Sequence, residues 1–131
     1  MRIDHIAIWT KDLERCAAFY VTYFDAIAGA HYVNATKGFQ SCFLSFEGGA
    51  RIEVMSTTKL QPVVVEPGAE RMGLTHVAIN VGSNEKVDQL TSRLREAGFV
   101  VKDGPRRTGD GYYESVVLDP DGWDPRGIDQ C

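Results

Sequence analysis

The chain carries one alternating pattern of apolar and polar positions twice. Residues 2–8 read Arg-Ile-Asp-His-Ile-Ala-Ile, and residues 73–79 read Gly-Leu-Thr-His-Val-Ala-Ile. Because successive side chains of a strand point to opposite faces, both runs predict strands, the first at 3–9 and the second at 74–81. A segment of helical periodicity follows each run, so the repeat predicts two similar halves. His5 and His76 occupy equivalent positions in these halves.

Two amphipathic helices are predicted from apolar residues at three- and four-residue steps. The first covers residues 12–24, and its buried stripe comprises Leu13, Cys16, Ala17, Tyr20 and Phe24. The second follows Ser83, a residue type that caps helix starts, and ends before Gly98. Its stripe comprises Val87, Leu90, Leu94 and Ala97.

Further strands are predicted at 39–46, 50–55, 99–102 and 112–118, with a weak one at 31–33. Gly48-Gly49 and the Asp-Pro-Asp-Gly run at 119–122 predict turns. Residues 61–71 contain two prolines and a glycine and are interpreted as a connector. A single domain, 1–131, is therefore expected, with modules at 1–60 and 72–131. The repeat requires a last strand within 123–131, although this sequence is a poor strand former.

Composition narrows the class of protein. A net charge of −4 with 44% hydrophobic residues is typical of a soluble globular chain and gives no support for nucleic-acid binding. No apolar run is long enough to cross a membrane, and no secretory signal is recognisable. Three widely spaced cysteines suggest reduced thiols and a cytoplasmic protein. The basic cluster of Lys102, Arg106 and Arg107 is interpreted as part of a solvated loop.

Strand parity brings three metal-competent side chains to one sheet face. In each strand the apolar residues of one parity suit the helix side, and the opposite parity carries His5, Glu53 and His76. Taken singly, a strand histidine is more often structural and a strand glutamate is usually solvated. Because the two histidines occupy equivalent positions in the repeat, they are stronger candidates for a functional role than a single histidine. Two imidazoles and a carboxylate suit a divalent ion such as Zn, Ni, Mn or Fe.

Five ordered segments resemble motifs of the vicinal oxygen chelate superfamily, which contains glyoxalases, bleomycin-resistance proteins and extradiol dioxygenases. They are Asp-His-Ile-Ala-Ile at 4–8, Asp-Leu-Glu-Arg leading to Phe-Tyr at 12–20, Arg-Ile-Glu-Val-Met at 51–55, Thr-His-Val-Ala at 75–78 and Asp-Pro-Asp-Gly at 119–122. The resemblance is strongest to the glyoxalase I-like branch. It implies an α+β fold of two βαβββ modules, which form a cupped mixed sheet with helices on its convex side. It also implies a metal on the concave side and a homodimer.

The resemblance implies roles for the candidate residues. Glyoxalase I-like members place His, Glu, His and Glu on the first and last strands of the two modules, and His5, Glu53 and His76 match the first three. The fourth position falls near Arg126. The alternatives for the fourth ligand are water, Glu114, Asp124 and Asp129. The site is built either within one chain or across a dimer.

The chemistry that the resemblance implies is an isomerase or lyase reaction, of the lactoylglutathione lyase type, through a metal-stabilised enediolate of a small substrate with two neighbouring oxygens. Glu114 and Glu53 are the candidate proton-transfer groups. The candidate pocket residues are Trp9, Phe43, Met55 and Tyr113. Trp9 stands where glutathione-using members have an arginine, which argues against a glutathione adduct, although Arg51 or Arg15 could serve in its place.

Two alternatives remain open at this point. One is a metal-free module of the same fold that binds small molecules or confers drug resistance. The other is an Fe(II) dioxygenase, which requires a glutamate on the last strand.

Overall fold

The computed structural model describes residues 1–61 and 72–122, together with the backbone of 126–130. The chain divides into two compact units, Met1–Glu66 and Pro67–Cys131. The predicted connector at 61–71 lies outside the described residues apart from Gln61. Across the described ranges, no helix has the length and apolar character that crossing a membrane requires.

The first unit is a βαβββ module with one additional short strand. Its sheet has the order β1-β5-β4-β2, and β3 also pairs with β4. Strands β1 and β5 are parallel, whereas the other pairs are antiparallel. The elements are β1 (His5–Trp9), α1 (Leu13–Phe24), β2 (Ile27–Ala28), β3 (Tyr32–Asn34), β4 (Phe39–Ser45) and β5 (Arg51–Thr57).

Helix α1 forms where the periodicity predicts it, and it packs on one face of this sheet. The Asp12 carboxylate accepts a hydrogen bond of 3.0 Å from the backbone N–H of Arg15, so it satisfies one of the free donors at the helix start. Every residue of the predicted stripe is buried, and Phe19 joins them. Ile52 and Val54 of β5 are buried as well. Burial of this apolar face is the main stabilising contribution in the unit.

The second unit repeats this arrangement. Its sheet has the order β6-β9-β8-β7, so the last strand again lies beside the first and parallel to it. The elements are β6 (Ile79–Asn80), α2 (Asn84–Glu96), β7 (Val101–Arg107), β8 (Tyr113–Val117) and β9 (Arg126–Gln130). Within the described part of the chain, two mixed sheets, each with one helix, confirm the α+β class.

Helix α2 begins as predicted and packs on β8. The Ser83 hydroxyl accepts a hydrogen bond of 3.2 Å from the backbone N–H of Lys86. Within the helix, the Thr91 hydroxyl lies 2.7 Å from the hydroxyl of Ser115 on β8, and both side chains are buried. Ala97 does not belong to the buried stripe, because it is the exposed residue at the helix end.

Two further sequence predictions need correction, and two strands form where their own sequence does not indicate a strand. The predicted strand at 74–81 shortens to Ile79–Asn80, since β6 pairs with β9 at two positions only. The poor strand sequence after residue 122 nevertheless forms β9, because a place between β6 and β8 gives its backbone hydrogen-bonding partners on both sides. The basic cluster belongs to β7 rather than to a loop. Strand β2 is too short for its sequence to indicate it.

Candidate metal centre

The candidate site of the first unit lies on the sheet face away from α1. The parallel register of β1 and β5 pairs His5 with Arg51 and Ala7 with Glu53. Neighbouring residues of opposite parity, such as Ile52, are buried on the helix side. His5 and Glu53 therefore share the open face, as the parity of the sequence predicts.

The side chains of His5 and Glu53 approach each other across this face. His5 Nε2 lies 3.8 Å from a carboxylate oxygen of Glu53, and the two side chains are 39% and 17% exposed. Ligand atoms about 2.0–2.2 Å from a shared ion lie roughly 3–3.5 Å apart, so a small side-chain adjustment would suit a shared ion. A borderline nitrogen donor and a hard oxygen donor fit a divalent transition ion, and both remain accessible from solvent.

Asp4 and Arg51 extend this pair into a network. An Asp4 carboxylate oxygen lies 2.9 Å from His5 Nδ1, within hydrogen-bond distance, and the Arg51 guanidinium forms an ion pair with the same oxygen. The hydrogen bond from His5, followed by that from Arg51, holds the pKa of Asp4 below its ordinary value of 3.8. Asp4 is therefore ionised at neutral pH.

Aromatic side chains border the same face. The Phe43 ring, opposite Glu53 in the register, meets the His5 ring edge to face with centroids 5.3 Å apart. Arg51 stacks on Phe43 at 4.4 Å. Further along the face, Trp9 packs edge to face against Phe39 at 6.2 Å, and Met55 is the register partner of Trp9. Phe43 therefore contacts His5, whereas Trp9 and Met55 lie further along the same face.

His76 belongs to the second unit and precedes β6. It is exposed, and its Nδ1 lies 2.9 Å from the Thr75 hydroxyl. Exposure still alternates as the repeat predicts. His76, Ala78 and Asn80 are exposed, whereas Val77, Ile79 and Val81 are partly buried.

The register of β9 identifies the residue that corresponds to Glu53. In the repeat Ile8 corresponds to Ile79, and these residues pair with Val54 and Ile128 in their respective sheets. Glu53 precedes Val54, so its counterpart is Gly127 rather than Arg126. Glycine offers no side-chain ligand, and the fourth position of the His-Glu-His-Glu pattern is therefore not filled at this point.

The other candidates for the fourth ligand fall in different places. Asp129 is the register partner of Asn80 and of Glu114 in the second sheet. Asp124 lies outside the described residues. Glu114 is partly buried on β8, where its carboxylate lies 3.4 Å from the Arg106 guanidinium.

Tyr113 lies on the helix side of β8. Its hydroxyl donates a hydrogen bond of 2.7 Å to Asp88 of α2, which raises the pKa of Tyr113 above its ordinary value of 10.0. The Tyr113 hydroxyl is therefore already engaged with the helix of its own unit.

Sequence reasoning did not find Asp4 or the Arg51 pairing. The available signal was an acidic residue directly before a candidate ligand, which often orients a ligating imidazole. The position of Arg51 depends on the pairing of β1 with β5, and strand periodicity alone does not specify that pairing.

Comparison with known proteins identifies the family. The family model of the Glyoxalase/Bleomycin resistance protein/Dioxygenase superfamily matches residues 2–124. The chain belongs to this superfamily, as its ordered motifs predicted. An uncharacterized protein, YqjT of Bacillus subtilis (strain 168), is 28% identical over 122 residues, which cover 91% of each chain.

Solved structures share the fold at low sequence identity. A glyoxylase/bleomycin resistance protein/dioxygenase domain from Frankia sp. EAN1pec matches with a TM-score of 0.81 and 17% identity, over 99% of this chain and 97% of that one. The trypanothione-dependent glyoxalase I of Leishmania major matches with a TM-score of 0.75 and 18% identity, over 97% and 85%. At these identities the likeness supports the fold alone.

Proposed function

We propose that this protein is a divalent-metal-dependent enzyme of the glyoxalase type. It binds Zn, Ni, Mn or Fe through His5, Glu53 and His76, and it acts as an isomerase or lyase on a small substrate with two neighbouring oxygens. The observation that carries the proposal is the approach of His5 Nε2 to the Glu53 carboxylate on an open sheet face. Membership of the Glyoxalase/Bleomycin resistance protein/Dioxygenase superfamily is compatible with this assignment.

Three protein ligands suit catalysis better than a closed set of four, because they leave coordination positions for substrate. When bound, the ion would act as a Lewis acid towards the two substrate oxygens. Gly127, at the position equivalent to Glu53, is consistent with this open arrangement. The same glycine removes the last-strand carboxylate that the dioxygenase alternative requires.

Carboxylates of the chain perform the proton transfer in this proposal. The substrate loses a proton from the carbon beside one oxygen and regains it at the neighbouring carbon, so one base that later returns the proton is sufficient. Glu114 and Glu53 are the candidates. The Glu114 carboxylate lies 3.4 Å from the Arg106 guanidinium on the neighbouring strand.

A second candidate is a metal-free binding module. It is favoured by a row of aromatic rings on the first unit, in which Trp9 contacts Phe39 and Phe39 contacts Tyr32. Trp9 and Tyr32 are about half exposed, so their rings are available for stacking on a planar ligand. The intact pair of His5 and Glu53 has no role in this alternative, which is why the enzyme is preferred.

The test is an activity screen of metal-loaded protein with α-ketoaldehyde–thiol adducts and catechols, with oxygen uptake recorded in parallel. We expect an isomerase or lyase reaction of an α-ketoaldehyde–thiol adduct, without oxygen consumption. Glu53→Gln should lower this activity at least about 100-fold, since it removes a charged ligand. His31→Ala is the matched control, because His31 is bonded to Gln40 and lies outside the proposed ligand set. Ligand binding without turnover or metal would favour the binding module, and oxygen-dependent catechol cleavage would favour the dioxygenase.

A further inference from the structure

We propose that Asp4 is a positioning residue of the metal centre, which holds the His5 ring so that Nε2, and not Nδ1, is presented to Glu53. The inference rests on the proposed function for its metal, although its first readout requires none. Asp4 is not among the residues that the repeat or the superfamily motif pattern marks as ligands.

The first step concerns the donor and the acceptor. An ionised carboxylate accepts hydrogen bonds and cannot donate them. The Asp4 oxygen that lies 2.9 Å from His5 Nδ1 also pairs with the Arg51 guanidinium, so it acts as the acceptor of both contacts and the proton lies on Nδ1. A neutral imidazole carries one ring proton, and its lone pair therefore lies on Nε2, the nitrogen that faces Glu53 at 3.8 Å.

The second step concerns how Asp4 itself is held. The Arg51 guanidinium pairs with Asp4, and the backbone N–H of Arg51 donates a 3.0 Å hydrogen bond to the Asp4 carbonyl. Arg51 also stacks on Phe43, whose ring meets His5 edge to face. Asp4, His5, Phe43 and Arg51 thus form a closed ring of contacts. A half-turn of the imidazole would break the hydrogen bond to Asp4.

The third step is electrostatic. A lone pair on Nε2 that faces a carboxylate oxygen at 3.8 Å is unfavourable unless a cation or a proton lies between them. Because Asp4 holds the proton on Nδ1, His5 Nε2 and the Glu53 carboxylate are both left as electron-pair donors that can bind the same cation. Carboxylates that orient a ligating histidine in this way typically change metal affinity about 10- to 100-fold.

The experiment compares Asp4→Ala with Glu47→Ala, which removes an exposed carboxylate from the turn before β5. The His5 tautomer is read from imidazole nitrogen NMR shifts of metal-free protein, about two pH units above the ordinary histidine pKa of about 6.5. His5→Gln identifies the signal among the three histidines. Zn and Ni titrations of the same proteins then give the affinities.

We expect the wild type and Glu47→Ala to carry the His5 proton on Nδ1. Asp4→Ala should move it towards Nε2 and weaken metal binding about 10- to 100-fold. Asp4→Asn retains an acceptor oxygen and should keep most of the wild-type tautomer, which separates positioning from a general loss of structure.

Two results would overturn the inference: a wild-type His5 with its proton on Nε2, or an Asp4→Ala variant that matches Glu47→Ala in both tautomer and affinity. A wild-type protein with the Nδ1 proton but without affinity for any divalent ion would defeat the proposed function instead. The positioning of His5 by Asp4 would survive that result.

Discussion

At the scale of single residues, the sequence predicts which side chains share a face and leaves their contacts undetermined. Strand parity placed His5 and Glu53 on one face, and the structure brings them to 3.8 Å. Parity is a local property of the backbone, so it is readable from the sequence. The role of Arg51 depends on register between strands far apart in the chain, and it was not readable. Tyr113 has the parity of the helix side of β8, where its hydroxyl bonds to Asp88.

The hydrogen bond between Tyr113 and Asp88 leads to a prediction about titration. The Asp88 carboxylate favours the protonated phenol, which raises the pKa of Tyr113 above 10.0. A raised pKa means that this bond stabilises the fold below pH about 10 and that the stabilisation is lost as the pH rises through the folded pKa. Asp88→Asn should return the pKa of Tyr113 towards 10.0.

The measurement is phenolate absorbance against pH, with the Tyr113→Phe curve subtracted because the chain has five tyrosines. The expected shift in Asp88→Asn is downward. An unchanged or raised midpoint would show that Asp88 does not control Tyr113.

At the scale of elements, helices were more predictable than strands. Both helices follow from their apolar periodicity and their caps, which are local signals. Strand β9 could not be predicted from its own sequence, because its formation depends on pairing with β6 and β8. The short strand β6 similarly depends on how far β9 extends beside it. Pairing with neighbouring strands, rather than intrinsic strand propensity, therefore determines where β6 and β9 form.

A substitution at Gly104 tests how closely β7 and β8 approach each other. Its φ of +82° is unfavourable for residues with a side chain, and an added Cβ would lie 2.5 Å from the backbone carbonyl oxygen of Glu114. Backbone atoms cannot move aside as a flexible side chain can. Gly104→Ala should therefore lower the free energy of unfolding by about 1–3 kcal/mol or more.

Gly109→Ala is the matched control in the loop after β7, where an added Cβ meets no atom within 4 Å. Urea denaturation of both variants measures the effect. Equal midpoints for Gly104→Ala and Gly109→Ala would contradict the close approach of these strands.

At the scale of the whole molecule, the central feature is duplication. Two units repeat the same order of strands, with the last strand parallel to the first, and the histidines stand at equivalent positions. The repeat in the sequence was sufficient to predict two similar modules, and the five ordered motifs predicted the superfamily. Only the strand register shows that Gly127 stands at the position equivalent to Glu53. Residues 123–131 lack a periodic pattern, so their sequence could not identify this position.

The chain is predicted to form a homodimer, because small sheets of this kind leave a large surface to cover. Light scattering over a broad range of concentrations should give twice the mass of one chain. A single-chain mass throughout would contradict this prediction.

The proposed metal centre is tested most directly by elemental analysis of protein purified without an affinity tag, incubated with each candidate ion and desalted. The wild type and His31→Ala should retain about one divalent ion per chain, as a single His2Glu site requires. The His5→Ala/His76→Ala double variant should retain almost none. A wild-type protein without bound metal, or a double variant that retains as much as the wild type, would contradict the proposed centre.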